Sequence, residues 1–115
     1  MSKSWRQSKE YRRWRVAVIR RDKRCFICNS IKKRHAHHLN HATFFPDEKF
    51  DVKNGITLCS GCHMNYHCNH NRSYRHKCDE KDFENHISFI DKLFNIVGFN
   101  YVPLGTLFIV WKQKR

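Results

Sequence analysis

Two C-x-x-C turns, Cys25-Phe-Ile-Cys28 and Cys59-Ser-Gly-Cys62, are separated by 30 residues and set the terms on which this chain folds. Each tight turn can present two thiolates to one ion. Two such turns complete a tetrahedral four-cysteine zinc site with bonds of about 2.3 Å. A closed shell of four thiolates is a structural site, and its binding energy adds to folding energy. A chain of 115 residues needs that help, because short chains bury a smaller share of their surface. An iron–sulfur cluster and thiol redox chemistry are the alternatives. The basic N-terminus has no apolar h-region, which argues against a secretory signal. The expected compartment is therefore the reducing cytoplasm, where clustered cysteines read as metal ligands rather than disulfides.

Charge narrows the class of partner. The formal net charge is +13, and residues 1–34 hold 13 Lys/Arg against two acids. A surplus so concentrated points to a polyanion, with nucleic acid ahead of an anionic membrane surface. The longest apolar run, Leu107 to Trp111, is far short of the ~20 residues a spanning helix needs. Aromatic content of 14% argues against wholesale disorder. Nothing marks a linker or a repeat, so residues 1–115 read as a single domain.

Ser8 caps a predicted basic helix from about Lys9 to Arg21, with Tyr11, Trp14, Ala17 and Val18 at helical spacing. Ala36–Leu39 and Ile56–Leu58 read as short strands, residues 41–54 as a loop, and Gly61–His67 as a short helix. Residues 68–78 show no periodicity. A second long helix is predicted from about Glu80 to Val97, capped by Asp79 and stopped by Gly98. Its apolar face is Phe83, Ile87, Ile90, Leu93, Phe94 and Val97, and Phe83, Ile87, Ile90 and Phe94 are expected to form the small core with Trp14. Phe99–Val102 and Thr106–Trp111 around Pro103-Leu104-Gly105 suggest a β-hairpin.

Histidines crowd the segment between and just beyond the cysteine turns. On a strand, adjacent His37 and His38 point to opposite faces, so one can bind metal while the other acts as a base. His63 and His67 are four apart on a helix and share a face. With His37 they offer three ligands and an open position, the pattern of a catalytic metal site. The ordinary alternative is that these histidines only support the zinc fold or sit on the surface.

The ordered set Trp14–Asp22, Cys25-x-x-Cys28, His37-His38-Leu39, Asn54-Gly55-Ile56-Thr57-Leu58-Cys59 and Cys62-His63, ending at His67, resembles the HNH endonucleases of the ββα-metal fold. The resemblance covers roughly residues 11–68; residues 69–115 form an extension that resembles nothing named. It implies an α+β fold: a small ββα-metal core stapled by the four-cysteine zinc, with the basic helix before it and the helix and hairpin after it. It also implies a metal-dependent DNA endonuclease of weak sequence specificity that leaves 5′-phosphate and 3′-hydroxyl ends. His38 aligns with the general base, Asn54 with the N of the name and His63 with its final H. His37, His63 and His67 match the histidine ion site of the nuclease colicins, which would take Mg2+, Mn2+, Ni2+ or Zn2+. Asn54 is then expected to orient the loop and the base, with an Asn54 carbonyl or a backbone carbonyl holding the His38 ring in the correct tautomer. A small basic nuclease of this kind suits a phage or mobile element in a bacterial or phage-infected cell.

Arg12, Arg13, Arg15, Arg20, Arg21, Lys32, Lys33 and Arg34 are the expected DNA-backbone contacts, which position a duplex without reading sequence. Backbone hydrolysis does not itself select the sugar, so RNA stands beside DNA as a substrate. The rival readings are a non-catalytic zinc-containing DNA-binding module and a partner-dependent subunit of a larger nucleic-acid machine; a homodimer is also open. Cys68, His70, His76 and Cys78 form a C-x-H…H-x-C pattern that would suit a second zinc. His35, His41 and His86 read as surface or supporting residues.

Overall fold

A computed structural model describes residues 4–70, 78–98 and 102–115. A 3-10 turn at Trp5–Gln7 leads into helix α1 (Lys9–Asp22), strand β1 (Arg34–His38), strand β2 (Gly55–Cys59), and helices α2 (Ser60–His70), α3 (Glu80–Ile96) and α4 (Leu104–Lys114). Two further 3-10 turns, Pro46–Glu48 and Val52–Asn54, shape the loop between the strands. The architecture is α+β, with four helices among the described residues packed on a two-stranded antiparallel sheet.

The pairing register runs from Arg34 opposite Cys59 to His38 opposite Gly55. Strand alternation then sorts the residues between two faces. Ala36 and His38, with Thr57 and Gly55 opposite them, face α1. There Trp14, Val18 and Ala36 form one buried cluster with Tyr11, Phe50 and Val52 at its edge. His37 and Ile56 face the other way, toward the larger core of Leu39, Leu58, Tyr66, Phe83, Ile87, Leu104 and Phe108. Trp14 therefore does not share a core with α3, and of the expected apolar face Leu93, Phe94 and Val97 are exposed, because only the Phe83, Ile87 and Ile90 side of the helix meets the larger core.

Local caps explain where α1 and α3 begin. The Ser8 hydroxyl accepts from Tyr11 N–H at 3.1 Å. Asp79 and Asp82 form a reciprocal capping box, and Gly98 follows α3 at φ +77°. The expected β-hairpin after Gly98 is not formed. Residues 104–114 are helical, and residues 99–101 lie outside the described part of the chain. The cause is a cap delivered from another element. The Asp91 carboxylate on α3 accepts from Leu104 N–H at 2.8 Å and Gly105 N–H at 2.9 Å, satisfying the first orphan donors of α4. Leu104 and Phe108 then bury one side of that helix. Helix α2 also runs further than expected, to His70.

Arg21 points inward. Its guanidinium donates to the Asp22 carboxylate at 2.8 Å, to the Val52 carbonyl at 2.7 Å and to the Gly55 carbonyl, tying α1 to the start of β2. Asp22 in turn accepts from Thr57 N–H at 2.9 Å and Trp111 Nε1–H at 2.9 Å, so one carboxylate joins α1, β2 and α4.

Candidate metal centres and cleft

The two cysteine turns meet where the strands begin and end. Phe26 N–H donates to the Thr57 carbonyl at 2.9 Å, docking the first turn on β2. Ser60 N–H donates to the Lys33 carbonyl at 2.8 Å, docking the second turn on the start of β1. Asn29 closes the first turn in the left-handed region, φ 67°, which asparagine tolerates. Inside each turn an amide points at sulfur: Cys28 N–H at Cys25 Sγ and Cys62 N–H at Cys59 Sγ, both at 3.5 Å.

The four Sγ atoms of Cys25, Cys28, Cys59 and Cys62 lie within 4.8 Å of one another. Bonds of about 2.3 Å in a tetrahedron put sulfurs about 3.8 Å apart, so the cluster fits zinc with small side-chain adjustments. A thiol hydrogen bond from Cys62 drives Cys25 toward thiolate, while Cys62 keeps its proton in that exchange. A bound cation would remove the remaining protons, since thiolates are the ligating form.

The histidine cluster sits at the other end of β1. His37 projects from β1 onto α2, where His63 and His67 stand one turn apart; one ring nitrogen from each of the three lies within 4.8 Å of the others. His63 Nε2 and His67 Nε2 are 2.9 Å apart. His37 is only 5% exposed, and its Nε2 is buried with no hydrogen-bond partner. A buried ring nitrogen with no partner, on a histidine packed against two other imidazoles, carries a desolvation cost that a cation would relieve. Burial, followed by the neighbouring His63 and His67, holds His37 well below the usual histidine range. Burial also lowers His63 to about 4. All three are therefore neutral ligand donors at neutral pH.

His38 lies on the opposite side of the strand and reaches the same cleft, which is lined by Arg6, Tyr11, His37, His38, His41, His63 and His67. Its ring stacks on Trp14 at 4.0 Å between centroids and meets the edge of Trp5 at 5.6 Å. Its Nε2 is 2.8 Å from the Lys49 carbonyl oxygen, so in the neutral ring Nε2–H donates and Nδ1 is left as the acceptor. Burial under the two indoles, with Arg6 adding repulsion, lowers the ring to about 4 against the pull of the Lys49 carbonyl.

Asn54 makes no hydrogen bond to His38. Its side chain accepts from Asn40 N–H at 2.8 Å and donates to the carbonyls of Asn40 at 3.0 Å and Glu48 at 3.2 Å. It pins the ends of the loop that carries Lys49, and so orients the ring through the backbone.

Arg12, Arg13, Arg20, Lys32 and Lys33 are directed to the surface. Arg15 donates to the Arg34 carbonyl and Arg34 to the Lys23 carbonyl, so both are partly engaged, and Arg21 is committed to the scaffold. Of the two places expected for His86, surface or support, the structure shows the second: it is buried against Tyr66. His35 stays near the rim, its ring 5.7 Å from His63. Of the C-x-H…H-x-C pattern, Cys78 is buried, the side chains of Cys68 and His70 are not described, and His76 lies outside the described residues.

Sequence reasoning missed Arg6, Tyr11 and His41 as parts of the cleft; of the two partners expected for His38, an Asn54 carbonyl or a backbone carbonyl, the structure has the backbone one, from Lys49. A backbone carbonyl has no sequence signature, and Arg6 is one basic residue among many near the N-terminus. Together the features define a small α+β domain with a four-cysteine cluster and a three-histidine cluster, each suited to a metal ion. Compared with family models, curated proteins and solved structures, the chain finds no match in any of the three.

Proposed function

We propose that this chain is a metal-dependent endonuclease of the HNH type, hydrolysing phosphodiester bonds in DNA. The observation that carries the reading is the juxtaposition of His37, His63 and His67 with His38 in one cleft. His37, His63 and His67 would hold a divalent ion, and an all-imidazole set suits Ni2+ or Zn2+ better than Mg2+. When bound, that ion supplies Lewis-acid stabilisation of charge on the phosphate and on the departing 3′ oxygen. The four-cysteine cluster would hold zinc as a structural ion.

The chain's own residues divide the remaining work. His38, neutral at pH 7, takes a proton from the attacking water at Nδ1. The Lys49 carbonyl fixes its tautomer, and Trp14 fixes the ring plane. Arg6 brings positive charge to the cleft wall, where a phosphate would sit. Arg12, Arg13 and Arg20 on α1 offer sequence-independent backbone contacts.

The test is plasmid relaxation by wild type and His38→Ala with each of Mg2+, Mn2+, Ni2+ and Zn2+, with structural zinc measured in both proteins. Cutting by wild type alone, at equal zinc content, is the expected result. Equal cutting by both would remove His38 from the mechanism. Inactivity of both with DNA binding retained would favour a non-catalytic or partner-dependent module.

A further inference from the structure

A cavity of about 340 Å3 lies between the first cysteine turn and α4, and it shares no lining residue with the histidine cleft. Its size falls within the ~300–1,000 Å3 of small-molecule sites. Sequence spacing builds one wall. Val110, Trp111 and Lys114 follow Leu107 by three, four and seven residues, so they share one side of α4. Arg24 and Phe26 line it from the segment that follows α1. The lining is divided by polarity. Phe26, Leu107 and Val110 offer carbon surface, and Leu107 and Val110 stay 41% and 43% exposed. Arg24 and Lys114 are exposed, and among the described residues neither has an ion pair. Arg24 donates to the Asn29 carbonyl at 3.3 Å, which keeps its guanidinium beside the turn. The other charged groups of the wall are committed: Arg21 and Asp22 to each other and to the scaffold, Arg115 to Glu80.

We propose that this cavity binds a small amphipathic anion, an alkyl or aryl carboxylate whose body lies on Phe26, Leu107 and Val110 and whose head meets Arg24 and Lys114. Charge and polarity select that class. Both uncommitted charges are positive, so a cation of the same shape is repelled. A bare inorganic anion would leave the carbon walls wet and gain nothing from them. A nucleotide supplies the anion but brings a base whose N–H and C=O edges need partners. Beyond the Asn29 amide, the committed side chains of the wall offer none, and unpaired polar edges are costly to bury. Nor is a stacking platform open to a base. The Trp111 ring stacks on Phe108 at 5.4 Å, with the guanidinium groups of Arg21 at 5.0 Å and Arg115 at 5.4 Å over it. The inference does not depend on the nuclease reading.

The experiment is amide NMR of the full zinc-loaded chain titrated with sodium octanoate, and in parallel with octylammonium, acetate and thymidine 5′-monophosphate. Octanoate is expected to give saturable shifts at the Phe26, Leu107 and Val110 amides and at Trp111 Nε1–H. Octylammonium is expected to bind about tenfold more weakly, and acetate to show no saturation. Val110→Glu and Ile109→Glu bring the same charge to adjacent exposed positions of α4, but only Val110 lines the cavity. Val110→Glu is expected to weaken octanoate by about tenfold, and Ile109→Glu to leave it within about twofold. Absence of saturable shifts, equal binding of octylammonium, or equal effects of the two glutamates would overturn the proposal. Tighter binding of thymidine 5′-monophosphate at the same signals would also overturn it and reassign the cavity to a nucleotide.

Discussion

Gly55→Ala isolates the contact on which the geometry around His38 depends. Gly55 faces α1 directly opposite His38 in the sheet register, and Trp14 lies over both. A Cβ at Gly55 would fall 2.5 Å from Val18 Cγ2, 2.8 Å from Trp14 Cζ2 and 3.2 Å from Trp14 Cε2. Carbon contacts are comfortable at about 3.5–4.0 Å, so both neighbours would have to retreat by roughly 1 Å. Neither has room: Val18 is 0% exposed and Trp14 2%, and Trp14 Nε1–H is tied to the Asp51 carbonyl at 2.8 Å. The backbone at Gly55, φ −119° and ψ 141°, admits any residue, so the cost is packing alone. Overpacking of this kind costs about 1–3 kcal/mol, and with two rigid neighbours the upper half of that range is expected. Equilibrium denaturation followed by tryptophan fluorescence measures it. Gly61→Ala is the internal control. Nothing lies within 4 Å of its Cβ, it occupies the first turn of α2, and alanine there is expected to gain up to about 1 kcal/mol. On the proposed nuclease reading, cleavage by Gly55→Ala is expected to fall beyond its loss of stability, because a displaced Trp14 tilts His38. A Gly55→Ala midpoint equal to wild type would refute the close-approach argument.

Other outcomes follow from the same contacts. Cys59→Ser is expected to lose the structural zinc and the cooperative unfolding transition together, because structural zinc contributes about 10–16 kcal/mol against a total stability of about 5–15; metal analysis and circular dichroism check both. Asn54→Ala leaves half-buried partners on Asn40 and Glu48 unpaired and is expected to cost about 1–2 kcal/mol, with faster amide exchange at Asn40. Stability is expected to be full above pH 6.5 and to fall as pH drops toward 4. His38 and His63 titrate near 4 when folded, so over that window the unfolded chain binds protons the folded chain refuses. A separation that large is worth on the order of 3 kcal/mol per group. Denaturant midpoints at pH 7.5 and 5, with zinc content followed in parallel, test the sign, and a flat profile would contradict it.

What the sequence makes legible is what local chemistry decides. Ser8 and Asp79 cap the helices they precede, so α1 and α3 can be read from the chain alone. The paired cysteines and the i, i+4 spacing of His63 and His67 announce clusters before any coordinates. Helix α4 is illegible for a matching reason. Its Thr106, Ile109, Val110 and Trp111 favour a strand, and the carboxylate that starts the helix belongs to Asp91, 13 residues upstream of Leu104. The surroundings of His38 are equally non-local, since Trp5, Trp14 and the Lys49 carbonyl come from three separate segments. Arg21 looks like its basic neighbours in sequence, and only the fold reveals that it serves carbonyls rather than solvent.

Cys62 and His63 are consecutive residues in the first turn of α2, one belonging to each cluster. Capture of an ion by the cysteines would therefore set the helical turn that aims His63 and His67, and if both clusters hold ions the two occupancies would be thermodynamically linked. Whatever factor the first ion adds to the affinity for the second, the second returns to the first. A chelator titration on this chain would thus report one coupled event in place of two independent affinities, and mixed-metal loading would depend on the order in which the ions are offered.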